Sequence, residues 1–172
     1  MKTLIKLHLI IPLTVFSIST FAQTCLLESE IPSSTPDSRF VNNFDGTISD
    51  NGSGLMWHRC QLGRVGDDCE FGNLNQYNWQ EAFIQANNNS LANYSDWRLP
   101  NINELKSIIE QRCFDPAINA TIFPNTANSI FWTSSPYTSN AAVTWSVGFS
   151  QGSSSVSNRN GDNYLRMVRT EQ

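Results

Sequence analysis

Four chemically distinctive side chains, Asp96, Trp97, Arg98 and Pro100, fall within five consecutive positions of the stretch YSDWRLPNINEL (Tyr94–Leu105). An acid beside a tryptophan and an arginine can hold a ligand, and the same trio can lock a structural corner. The local grammar favours the corner. Pro100 disfavours helical conformation at Leu99, so the chain runs extended to that point. Asn101 followed three residues later by Glu104 is a capping box, in which each side chain satisfies an orphan amide at a helix start. Ile102, Leu105, Ile108 and Ile109 then recur at helical spacing, and Cys113 falls just past the expected helix end. Leu99, Leu105 and Trp97 are expected to be buried. Arg98, flanked by Asp96, is expected to pair a carboxylate or backbone carbonyls through its fixed fork of donors.

The remaining candidates for chemistry depend on where the mature chain begins. Lys2 and Lys6 lead into the apolar run LHLIIPLTVFSI, and STFA ends on the small Ala22. The run is too short for a bilayer core of about 30 Å, which takes about 20 apolar residues. Residues 1–22 therefore read as a signal peptide cut before Gln23. Lipidation at Cys25 is disfavoured, because AQTC lacks the small residue such processing wants before the cysteine. Loss of the leader removes His8 and leaves His58 as the one histidine. A single histidine cannot form H-E-x-x-H, and no G-x-S-x-G serine accompanies it. It reads as an ordinary strand residue.

All four cysteines, Cys25, Cys60, Cys69 and Cys113, lie in the mature part, which implies a disulfide framework with three pairings open. Cys60 and Cys69 flank QLGRVGDD and would close a short ring, leaving Cys25 and Cys113 to staple an N-terminal arm to the body. A four-cysteine zinc site would need a C-x-x-C pair, which is absent. Asn43, Asp45 and Asp50 in NNFDGTISDN superficially resemble calcium donors. They lack the order of an EF-hand loop, and Asp45-Gly46 is explained by hairpin turn chemistry. No catalytic residue, metal or cofactor is expected.

These residues need a scaffold. Gln23–Ser38 is polar and rich in Pro and Ser, an extended arm rather than an element. RFVNNFDGTISDNGSGLMWHRC alternates β-prone runs with turn signals, a meander of short strands. Its last strand carries Leu55, Trp57 and Arg59 on one face and Met56, His58 and Cys60 on the other. In YNWQEAFIQANNN the period changes: Asn78 and Glu81 form a second capping box ahead of the stripe Trp79, Ala82, Phe83 and Ala86. After RCFDPAINATIFPN the last third reads as strands, SIFWTSSPY, AAVTWSVGFSQG, SSSVSNRN and NYLRMVRT. Trp145, Val147 and Phe149 alternate there. Strands, two helices, then strands is α+β order.

The chain carries 11 basic and 15 acidic residues, and the leader contributes two lysines and no acid, so the mature net charge is 9 against 15, or −6. An acidic surface argues against nucleic acid and anionic membranes as partners. No second long apolar run anchors the mature protein in a membrane.

The motifs GTISDNGSGLMWHRC, NWQEA, YSDWRLPNINEL, FWTSSPY and NYLRMVR, in this order, resemble the Lcl C-terminal domain family, also designated DUF1566. The resemblance spans about residues 38–170 and suggests a division into a leader (1–22), an arm (23–38) and the domain (39–172). It implies a C-type-lectin-like fold with two helices and small antiparallel sheets, stapled by disulfides, and the pairings above fit it. In the Legionella collagen-like adhesin the domain is associated with trimeric assembly and with sulfated glycosaminoglycans. The implied function is a secreted, periplasmic or cell-surface binding module for a glycan or an envelope protein, with homo-oligomers open. Alternatives are an interaction domain without glycan binding, or an enzyme related to formylglycine-generating oxidases, which would need free thiols. Within Ser134–Asn163 and just beyond, polar residues surround aromatics. An aromatic face there can cover a sugar while amides bond its hydroxyls. The ligand-binding candidates are Tyr137, Arg159, Asp162 and Tyr164, with Trp132 and Trp145 expected in the core.

Overall fold

A computed structural model describes residues 23–171, so the expected signal peptide lies outside the described residues. The turns at Asp45-Gly46 and Asn51–Gly54 fold the first part of the domain into strands β2 (Phe40–Asn42), β3 (Thr47–Asp50) and β4 (Leu55–His58). The last strand, β9 (Val168–Thr170), pairs antiparallel with the far side of β4, setting Val168 opposite Trp57. Start and end of the domain thereby share one sheet, in the order β2-β3-β4-β9. A second sheet contains β6 (Ile130–Pro136), β7 (Val143–Gly148) and β8 (Ser153–Asn158), joined as antiparallel neighbours. Helices α1 (Trp79–Asn87) and α2 (Ile102–Lys106) separate the two sheets in sequence. The α+β order is as the sequence implies.

Two hydrophobic clusters explain why strand residues of both parities are buried. Successive side chains of a strand point to opposite faces. Trp57, Phe131 and Val168 enter one cluster with Leu105, Phe123 and Phe149. Their neighbours Met56, Trp132 and Met167 enter the other, with Trp97, Leu99 and Ala82. Each sheet is therefore apolar on both sides near its centre, which turns Leu55–His58 into a fully buried strand.

Both expected disulfides are present, Cys25–Cys113 and Cys60–Cys69, closing loops of 88 and 9 residues. In the chain-entropy picture the longer loop contributes more, about 4–5 kcal/mol against about 2–3. The arm does more than extend. Its strand β1 (Thr24–Cys25) pairs with β5 (Cys113–Phe114). The Glu110 carboxylate accepts bonds from Ser33 Oγ, the Ser34 amide, and the amide and hydroxyl of Thr35. Burial works to raise the Glu110 carboxyl, but those bonds hold it down at about 2. The Ser-rich composition that reads as a linker thus supplies the donors that dock it.

Three other expectations are corrected. Helix α2 stops at Lys106, because the Ser107 hydroxyl caps the Glu104 carbonyl (2.8 Å) and Ile109 pairs with Ile118 as a β-bridge. Ile108 and Ile109 are nevertheless buried: their spacing reported burial, not helix. NYLRMVRT is a strand only from Val168. Tyr164 instead bridges Phe131, the Tyr164 amide donating to the Ile130 carbonyl. Trp132 is fully buried, whereas Trp145 is half-buried and packs edge-on against Tyr137, ring centroids 5.3 Å apart.

Candidate functional site

The stretch Asp96–Asn101 is wholly engaged in structure. Asp96 accepts a bond from Arg169 Nε at 2.7 Å, which holds its carboxyl below the usual range. Trp97 is buried, donates its indole N–H to the Leu91 carbonyl and stacks edge-on against His58. Arg98 pairs its backbone with Val168 and sends two parallel bonds of 2.8 Å to Glu104. Glu104 also accepts the Asn101 amide, completing the capping box of α2. Burial would raise the Glu104 carboxyl; the bonds from Arg98 and the Asn101 amide outweigh it and lower its pKa. A carboxylate with that many donors is a hinge pin.

Other charged groups are similarly engaged. Arg39 forks onto Asp50, whose oxygens also take the Gly52 amide and the Ser53 hydroxyl, so this candidate calcium donor is part of a turn. Asp45 accepts from the amide and hydroxyl of Thr47. Arg166 is fully buried over the Phe123 ring and donates to the carbonyls of His58 and Arg59 and to Thr126 Oγ1. Burial pulls its pKa down to about 9, so it stays charged at neutral pH. His58 is buried with its Nε2 3.1 Å from Asn89 Oδ1. Burial depresses its pKa to about 4, the Arg166 charge adds to this and the Asn89 contact opposes it, leaving a neutral imidazole at pH 7.

Arg159 behaves differently. Its guanidinium lies 4.1 Å over the ring of Trp79 and makes no hydrogen bond or ion pair with any described residue. Trp79 is fixed by its indole N–H on the Thr133 carbonyl (2.8 Å) and its amide on the Arg159 carbonyl (3.0 Å). The N-cap Asn78, Gln80, Phe83 and Asn160 join them around a shallow cleft of about 370 Å³. The other three residues singled out from sequence do not converge here. Tyr137 packs on Trp145; alternation puts Trp145 on the sheet face of Val147, opposite the face that Ser146 shares with Trp132. Asp162 is exposed on the loop after β8 and Tyr164 lies half-buried against Phe131. Helical spacing places Trp79 in the apolar stripe of α1, and it does pack against the second cluster; it opens the helix and stays partly exposed, which leaves a ring face for Arg159.

A larger cleft of about 610 Å³ lies elsewhere, between the β2–β3 turn, the Cys60–Cys69 loop and the asparagines after α1. Phe44 stands at its mouth, 90% exposed and in the left-handed region at φ 59°. Gly63, inside the disulfide loop, packs closely on the segment just after it: Gly63 and Gly72 both have positive φ, and a Cβ on Gly63 would strike the Asn73 carbonyl and one on Gly72 the Gly63 carbonyl.

The sequence pattern of the Lcl C-terminal domain matches residues 46–169. The chain belongs to the Lcl C-terminal domain family. Within this Lcl C-terminal domain lie β3 to β9 apart from the last residue of β9, both helices, the corner at Asp96–Asn101 and the Trp79–Arg159 pair. The arm and β1 precede it. No curated protein matches the chain.

Proposed function

We propose that the protein is an adhesin-related recognition module of the cell surface or periplasm that binds a glycan through the Trp79–Arg159 face. The observation that carries this reading is a partly exposed tryptophan fixed by two hydrogen bonds, covered by an arginine whose guanidinium has no hydrogen-bond partner among the described residues, and bordered by the amides Gln80 and Asn160. Aromatic faces cover the apolar side of a sugar, and free donors bond its hydroxyls. Asp162 on the adjoining loop extends the polar surface for a longer chain or an envelope-protein partner, while the Tyr137–Trp145 pair lies on the other face of the sheet. The C-type-lectin-like reading of the fold is supported by two short helices, small antiparallel sheets, two disulfides and the joining of the domain's ends in one sheet. Two disulfides suit an oxidising compartment, in keeping with a cleaved leader. Both cysteine pairs are closed, which favours recognition over thiol-based oxidase chemistry.

A glycan array probed with the mature protein, with and without chelator, tests this reading. Chelator-independent binding of defined saccharides is expected. Silence on the array, together with capture of an envelope protein, would replace the glycan reading with that of a protein-interaction domain.

A further inference from the structure

The 610 Å³ cleft is independent of the Trp79–Arg159 face and has its own chemistry. Its size falls within the range of about 300–1,000 Å³ typical of small-molecule sites. Its walls divide by character. Phe44 and Val65, both strongly exposed, stand at the rim with Leu62 and Leu91, so the cleft offers an apolar wall to solvent. Such exposure at a turn held in the left-handed region is costly for a phenylalanine, since that backbone conformation disfavours side chains. Folding stability does not explain it.

The polar groups sort by whether they already have partners. Asp45 is committed to Thr47, and Arg64 donates to the carbonyls of Glu70 and Gly72. Asn42 Oδ1 takes the Phe44 amide, and Asn89 Oδ1 takes the Leu91 amide and faces the His58 ring; the NH2 groups of both have no partner among the described residues. Arg59 is the outlier. Its amide is tied to the Gly46 carbonyl and its own carbonyl receives Arg166, so its backbone is fixed on both sides. Its guanidinium makes no hydrogen bond or ion pair with any described residue, and its Nε is buried without a partner. Among the described residues, the unused cation of this cleft is one guanidinium; the NH2 groups of Asn42 and Asn89, the Asn88 side chain and the Ser90 hydroxyl accompany it beside an apolar wall. The acids that line it, Asp45 and Asp67, are exposed and balance the two arginines. A near-neutral lining in which the acids are exposed and one cation is uncommitted suits one anionic group rather than a polyanion.

We propose that this cleft binds a small organic carboxylate with an apolar body, the carboxylate on Arg59 and the body against Phe44, Val65 and Leu91. Planar, two-point bonding of a carboxylate is the recognition a guanidinium performs best. The same chemistry is offered by a free carboxylic acid and by the C-terminal residue of a peptide.

The test titrates the mature protein by NMR with 3-phenylpropionate, with acetyl-Ala-Ala-Phe, and with the same peptide amidated at its C-terminus. Saturable binding of at least one acid is expected, at least tenfold tighter for the peptide acid than for its amide if the source is a peptide. Tighter binding of 3-phenylpropionate than of the peptide acid would assign the free acid as the source. Arg59→Met, which should fold because the side chain it replaces bonds nothing, is expected to weaken the preferred acid at least tenfold. Phe44→Gly fits the left-handed turn and is expected to weaken it several-fold, which keeps the proposal open to refutation if Arg59→Met folds poorly. Arg159→Ala should leave acid binding unchanged, so this site and the glycan face succeed or fail separately. Absence of saturable binding by either acid, equal binding of peptide acid and amide with none of 3-phenylpropionate, or an unaltered affinity in folded Arg59→Met would overturn the proposal.

Discussion

Arg98 and Arg159 make an instructive pair. Each is associated with a tryptophan, Arg98 by sequence beside Trp97 and Arg159 by stacking on Trp79, and each lies near a helix start. Arg98 has a carboxylate in both arms of its fork, and its tryptophan is buried. Arg159 has only the face of an aromatic ring, and its tryptophan is partly open to solvent. The same side chain is a brace in one region and an available donor in the other. What separates them is whether their hydrogen-bonding capacity is satisfied, since a satisfied group has little left to offer a ligand. The density of chemically distinctive residues in DWRLPN is thus a mark of a corner, and the quieter region around Arg159 is where recognition is proposed.

The contrast can be broken at several points, the largest effect first. Trp97→Ala should destabilise the domain by about 3–5 kcal/mol, since it removes a fully buried indole from between Leu91 and His58. Chemical denaturation measures this directly. His58 gives a smaller effect with a defined pH window. Its folded pKa, about 4, is depressed below the ordinary 6.5, so the unfolded chain takes up the proton first. Stability should therefore fall as pH drops below about 6.5 and that loss should level off near 4, amounting to about 3 kcal/mol. The Glu110 contribution starts later: its folded pKa of about 2 lies below the usual 4.5, so its stabilisation is lost as pH falls from about 4.5 towards 2. Urea titrations from pH 7 to pH 3 separate the two, and a His58→Asn protein should lack the first decline.

Arg98→Ala should cost about 1–2 kcal/mol, because it breaks a bidentate pair that is partly exposed and therefore partly screened. The thermal midpoint should fall by several degrees. Saccharide binding should survive in protein that remains folded. Arg159→Ala should be the gentlest, costing less than about 1 kcal/mol for a lost cation–π contact. If Arg159→Ala destabilises as strongly as Arg98→Ala, the distinction between brace and donor collapses.

Much of the scaffold is legible in the sequence because its signals are local. The two capping boxes, the Asp45-Gly46 turn and the proline-defined corner each depend on residues within four positions of one another, and the structure places all of them. The short Cys60–Cys69 ring is legible for the same reason, and the family resemblance supports the longer bridge. Features decided by distant partners are not legible. Helix α2 ends early because Ile109 finds Ile118 across a turn, and the arm docks because Glu110 lies some 75 residues away in sequence. Trp145 lies on the central strand of its sheet, where alternation correctly gives its face but not what covers it. The candidate site suffers most. Trp79 and Arg159 are brought together by the pairing of Tyr77 with Asn163, a contact between segments on either side of the corner. Phe44 and Arg59 meet at one cleft only because the β2–β3 turn and the disulfide loop face each other.

The most direct test of the account is saccharide binding by Arg159→Ala, measured beside Arg98→Ala on protein shown to be folded by near-ultraviolet circular dichroism. The account predicts that the wild type and folded Arg98→Ala bind the same glycans with similar affinity, and that Arg159→Ala binds at least tenfold more weakly. Undiminished binding by Arg159→Ala, with loss in folded Arg98→Ala, would contradict it and return the functional surface to the corner.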